Sequence, residues 1–156
     1  MKLFTLAAAT LAMAIAAPAF AQNVEKVGPA GGRILTAAKV KAGATTVYLS
    51  GNLASPATPG GSDYGDTKTQ TISTLKKIKE LLAAHGMTMK DIVRMDAYLV
   101  AAPGMDGKMD FAGFNAGFAE FFNNAENPTT TTRTTMQISA LAGPQFLVEL
   151  TVIAAK

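Results

Sequence analysis

Two ionic side chains sit where ionic side chains are unexpected. Arg133 lies in a run of threonines, and Glu149 is the single carboxylate of an otherwise almost wholly apolar stretch, 146–154. A charge in such a setting is costly to bury unless it is paired or used. Arginine stays charged and grips a carboxylate through two parallel hydrogen bonds, so one sheltered arginine is a natural anchor for a small 2-oxo or 2-imino acid. A partly buried glutamate orients or activates a water. With Ser50 and Asn115 as further polar candidates, the set suits hydrolysis of a small carboxylated substrate. The plainer alternative is an ion pair between Arg133 and Glu149 across neighbouring strands. Residue types alone leave both open.

Other chemistries are poorly supplied. There is one histidine, His85, and no cysteine, so a zinc site or a thiol nucleophile has no ligand set to draw on. His85 precedes Gly86 at the end of a lysine-rich helical pattern, where a helix-terminal role is expected, and no motif positions it for a Ser-His-Asp triad. The run 60–65 contains glycines but follows no strand directly, so it makes neither a Walker loop nor a dinucleotide fingerprint. The net charge is only +3. Lys76, Lys77 and Lys79 read as a solvated helix face, because no aromatic platform or arginine stripe accompanies them. No nucleic-acid partner is expected.

At 156 residues, 49% hydrophobic and 16% charged, the chain suits a compact fold with a real core. Its first residues read differently. Lys2 supplies a positive start, 3–17 an apolar stretch short for a bilayer, and Ala19-Phe20-Ala21 a cleavage signature. The expectation is a signal peptide at 1–21 and a single mature domain at 22–156, exported, periplasmic and not membrane-bound after cleavage.

The elements that must position the candidate residues follow from periodicity. Strands are expected at 33–40, at 45–50 (β-branched and aromatic, flanked by Gly43 and Gly51), at 91–100, at 130–138 and at 146–154. The loop 52–65 is broken by Pro and Gly. Asp66 or Thr67 caps a helix in which Ile72, Leu75, Ile78 and Leu82 recur at helical spacing, with Gly86 as its stop. Asp110 opens a second helix, ended by Asn127-Pro128, with Phe111, Phe114, Phe118, Phe121 and Phe122 on a core-facing stripe. The order strand, strand, helix, strand, helix, strand, strand predicts an α+β fold, one mixed sheet with both helices on one face. Apolar residues on both sides of the last strands point to cover by neighbouring subunits.

The segments Val47-Tyr48-Leu49-Ser50-Gly51-Asn52, Asp91-Ile92-Val93, Asp110-Phe111 with Phe114-Asn115 and Phe121-Phe122, Arg133 eight residues before Leu141, and Val148-Glu149-Leu150 with Ile153-Ala154 stand in a familiar order. In that order they resemble the Rid family, also called YjgF or reactive intermediate deaminases and formerly endoribonuclease L-PSP, over 33–155. The resemblance implies a chorismate-mutase-like fold (a βαββαβ-type mixed sheet) assembled as a homotrimer with ligand clefts between subunits. It implies deamination of the 2-iminobutanoate and 2-iminopropanoate type: Arg133 holds the substrate carboxylate, Glu149 handles the attacking water, and ammonia and a 2-oxo acid leave. No metal or organic cofactor is implied. By the same matching Ser50 lines the cleft and Asn115 stands near it.

Three departures bear on this. Thr135 stands where a cysteine is common and brings a hydroxyl to the substrate site. The first-strand tyrosine of active deaminases is absent, the stretch reading Thr36-Ala37-Ala38. The loop 101–108 is long and bears on the cleft mouth. Export is a fourth, since short-lived imines arise in the cytoplasm. Two alternatives keep the same trimer: a non-catalytic small-carboxylate-binding protein, and a holdase chaperone for which Met105 and Met109 are the residues to probe. Ribonuclease chemistry fits least, for want of a histidine pair and a basic groove.

Overall fold

In the computed structural model, which describes residues 23–156, the chain runs β1 (Val24–Val27), β2 (Ala37–Val40), β3 (Thr46–Leu53), α1 (Thr67–Ala84), a 3-10 turn (Met89–Asp91), β4 (Ile92–Leu99), α2 (Phe111–Ala119), β5 (Thr132–Gln137) and β6 (Val148–Ala155). The leader expected at 1–21 lies outside the described residues.

Four strands form the main sheet in the order β3-β6-β4-β5, with β4 and β5 parallel and the other neighbours antiparallel. Side chains alternate between faces along a strand. Met95, Ala97 and Leu99 of β4 and Val148, Leu150, Val152 and Ala154 of β6 therefore bury one face, against Leu75, Ile78 and Leu82 of α1 and Phe114 and Phe118 of α2. The expected α+β architecture, a mixed sheet with two helices on one face, is the one observed.

The first expected strand differs. Only its second half is extended, and it pairs with β1 in a separate antiparallel ribbon rather than joining the main sheet. Val24 of that ribbon packs with Val93 and Ala155, covering one end of the sheet face opposite the helices. Beyond the ribbon that face is open. Tyr48 stands 74% exposed on it, and Arg94, Asp96 and Thr134 form a polar group at its centre.

Both helices have the starts expected. The Asp66 carboxylate accepts the Thr69 N–H at 2.8 Å, which keeps its pKa below the ordinary value, and the Asp110 carboxylate accepts the Gly113 N–H. His85 is the C-terminal cap of α1; Gly86 at φ +67 follows, and the Met87 N–H returns to the Leu82 carbonyl. The helices touch at Gly117, where a Cβ would come within 2.8 Å of the Thr71 Cβ. Helix α2 ends at Ala119, well before Asn127-Pro128. Asn124 donates to the Glu120 carbonyl and Asn123 takes φ +55, so local side-chain bonds compete with continuation of the helix. Phe122 still reaches the core, stacked on Phe118 at 4.4 Å, whereas Phe111 at the other end is 41% exposed.

Candidate functional site

Arg133 and Asn115 come together. Arg133 stands on β5 in register with Met95, hence on the helix-bearing face at the edge of the sheet. Its guanidinium carbon lies 4.9 Å from the centre of the Phe114 ring and 4.5 Å from that of Phe118, a cation–π arrangement. Its Nη2 donates to the Asn115 Oδ1 at 2.8 Å. Asn115 is held in turn by donating its own amide to the Phe111 carbonyl. The phenylalanine stripe read as core thus also forms the floor beneath the charge. Its i, i+4 pair Phe114 and Phe118, with a polar residue beside Phe114, is the sequence signal for that double use.

The second guanidinium nitrogen, Nη1, is shut away from water without a hydrogen-bond partner, and so is the Thr135 hydroxyl two residues along the same face. Burial, with a smaller contribution from Arg33, lowers the Arg133 pKa from its ordinary value to about 10. The group remains a cation at neutral pH, with a desolvated donor awaiting an anion. Past Thr135, the Gln137 side chain clips the loop 101–108 in place, donating to the Gly107 carbonyl and accepting the Met109 N–H, both at 2.8 Å. That loop is therefore fixed to the end of β5, four residues beyond Arg133. Met105 is exposed on it, whereas Met109 packs against the core.

Glu149 is elsewhere. Strand β4 lies between β5 and β6, so Arg133 and Glu149 are not on neighbouring strands, and Glu149 faces the open side of the sheet. Two strand spacings laterally and three residues along β6 put their Cα atoms roughly 14 Å apart. The proposed ion pair does not form, and the two do not share a cleft within one chain. Glu149 instead shares the open face with Ser50: it opposes Leu53 of β3 and Tyr98 of β4, and a bulge between Leu49 and Asn52 brings Ser50 and Gly51 alongside it. The Asn52 amide, buried, donates to the Ser50 carbonyl at 2.7 Å and braces the bulge. The candidates thus fall into two groups, Arg133, Asn115 and Thr135 on one face and Ser50 and Glu149 on the other.

A cavity of about 250 Å³ lined by Lys79, Thr88, Met89, Lys90, Phe121, Glu126 and Asn127 contains none of these residues. Of its lining lysines, Lys79 pairs with Glu126 at 3.2 Å; on the same helix Lys77 donates to the Leu53 carbonyl. The lysine cluster is dispersed over the helix surface.

Mixed sheet, one-sided helices and an edge-strand arginine set above an aromatic floor define an α+β protein of this class. The endoribonuclease L-PSP family model matches residues 36–156. A RutC family protein of Sulfurisphaera tokodaii is 33% identical over 113 residues, 71% of this chain and 80% of that one. Another, of Pyrococcus horikoshii, is 29% identical over 117 residues, 75% and 83% of the two chains. Among solved structures, a conserved Rid family protein of Yersinia pestis superposes with TM-score 0.68 at 24% identity, over 86% of this chain and all of that one. Escherichia coli TdcF with bound serine gives 0.58 at 26%, over 75% and 84%. The chain belongs to the endoribonuclease L-PSP family, the Rid or YjgF group. Membership supports a general imine-deaminase or small-molecule-binding role.

Proposed function

We propose that this protein hydrolyses small 2-imino acids to 2-oxo acids and ammonia in a cleft completed by a second copy of the chain, within a homotrimer. The observation that carries the reading is the desolvated, unpartnered Nη1 of Arg133 beside the equally unpartnered Thr135 hydroxyl. A substrate carboxylate bonds to both, and the bound serine of TdcF carries such a group. Glu149 takes a proton from water as its oxygen adds to the carbon of the protonated imine, and returns that proton to the nitrogen of the tetrahedral adduct; the C–N bond then breaks to release ammonia as the adduct hydroxyl loses its proton to become the carbonyl of the 2-oxo acid. Ser50 immediately precedes Gly51, the residue over which the Glu149 carboxylate lies. Because the halves occupy opposite sheet faces, the Arg133 edge of one protomer must meet the open face of another.

The test is complementation. Arg133→Ala and Glu149→Ala are each inactive toward imines generated in situ by an amino-acid oxidase. Dissociated and reassembled together, they regain a fraction of wild-type ammonia release in the clefts that unite an intact Arg133 with an intact Glu149. No recovery from verified mixed oligomers defeats the composite site. Because the Arg133 half is complete within one protomer, carboxylate binding without turnover is the second reading, and tight 2-oxo acid binding with no ammonia release supports it. We place the mature protein in the periplasm, on the leader at 1–21. N-terminal sequencing of exported protein beginning at Gln22 checks that placement.

A further inference from the structure

Gly51 is a glycine without a backbone reason. Its φ is not in the left-handed region, unlike those of Gly43, Gly60 and Gly65 in the flanking segments, so any residue is conformationally allowed there. The nearest obstacles to a side chain there are all atoms of Glu149. A Cβ built at residue 51 would overlap the Glu149 Oε1 and lie 2.8 Å from its Cδ and 3.3 Å from its Cγ, the three nearest heavy atoms. The Glu149 carboxylate therefore lies directly over the bulge, and Asn52, by bonding to the Ser50 carbonyl, holds that bulge in shape.

We infer that the Ser50–Asn52 bulge is a seat for the Glu149 carboxylate, with Gly51 as a positioning residue that fixes where the carboxylate points. The inference rests on Glu149 as the group that handles water. The seat places the carboxylate over Gly51 of β3, on the side opposite the β4 neighbour Tyr98. A glutamate side chain swings aside at small cost, so Gly51→Ala keeps the fold while moving the carboxylate by ~1 Å or more. A displacement of that size costs on the order of 100-fold in rate.

The experiment is a crystal structure of Gly51→Ala together with kinetics in two backgrounds. The expected result is a carboxylate shifted off the bulge, thermal stability near wild type, and kcat reduced roughly 10- to 100-fold with KM little changed. In a Glu149→Asp background, whose shorter side chain stops short of residue 51, the same substitution is expected to change kcat less than about twofold, the near-additive limit for uncoupled sites. An unmoved carboxylate, or an equal loss in both backgrounds, overturns the seat. If wild type shows no imine hydrolysis, the functional reading fails and the crystallographic shift alone still decides the seat.

Discussion

Replacing Arg133 by methionine separates a ligand clamp from a structural brace. Methionine keeps a long apolar stem over the Phe114 and Phe118 rings and removes the charge. Burial, and to a lesser degree Arg33, lower the Arg133 pKa to about 10, and with partial exposure of the group to water this penalty is on the order of 1 kcal/mol. Loss of that desolvation penalty is a gain for the variant. Against it stand the Asn115 hydrogen bond, worth about 1 kcal/mol, and two cation–π contacts at about 0.5 kcal/mol each. The ligand-free variant should unfold within about 1 kcal/mol of wild type, a change of roughly 3 to 5 °C in Tm. The ligand arm is not balanced in this way. A 2-oxo acid at 100 times its Kd stabilises wild type by about 2.7 kcal/mol, and this shift should vanish in Arg133→Met. Differential scanning fluorimetry with pyruvate reads both arms. Equal stabilisation of both proteins by pyruvate refutes the clamp; a loss above about 3 kcal/mol without ligand makes Arg133 a brace.

Two further outcomes follow from the same geometry. Gln70, buried in α1, accepts the Leu147 N–H and donates to the Gln145 and Gly65 carbonyls; Gln70→Ala strands buried partners just before β6 and should lower urea stability by about 3 kcal/mol at unchanged m-value. Lys26 donates to the Lys90 and Thr130 carbonyls, and burial, opposed by Asp91, lowers its pKa from 10.5 to about 8. Between those values the unfolded chain binds more protons than the folded one, so stability attributable to Lys26 rises with pH from about 8 to 10.5. Subtracting the Lys26→Met profile from wild type should leave that rise, about 1 kcal/mol after allowing for partial exposure; a flat difference contradicts it.

Local chemistry was enough to place the helix starts at Asp66 and Asp110, the stop at His85-Gly86, and the strands around Arg133 and Glu149, because caps and period-two alternation act over a few residues. The ribbon of β1 and β2 was missed as a pair, since a four-residue strand carries little periodic signal and its partner is set by packing on Val93 and Ala155. The run of phenylalanines promised a longer α2 than the asparagines after it allow. The sequence by itself determined which residues could hold an anion and which could handle water. Only the tertiary structure decided that they stand apart. Strands β5 and β6 follow one another in the chain, yet β4 takes the place between them, and alternation turns Arg133 toward the helices and Glu149 toward the open face. Strand order and facing are fixed by hydrogen-bond register across the whole sheet, and no spacing along the chain encodes them.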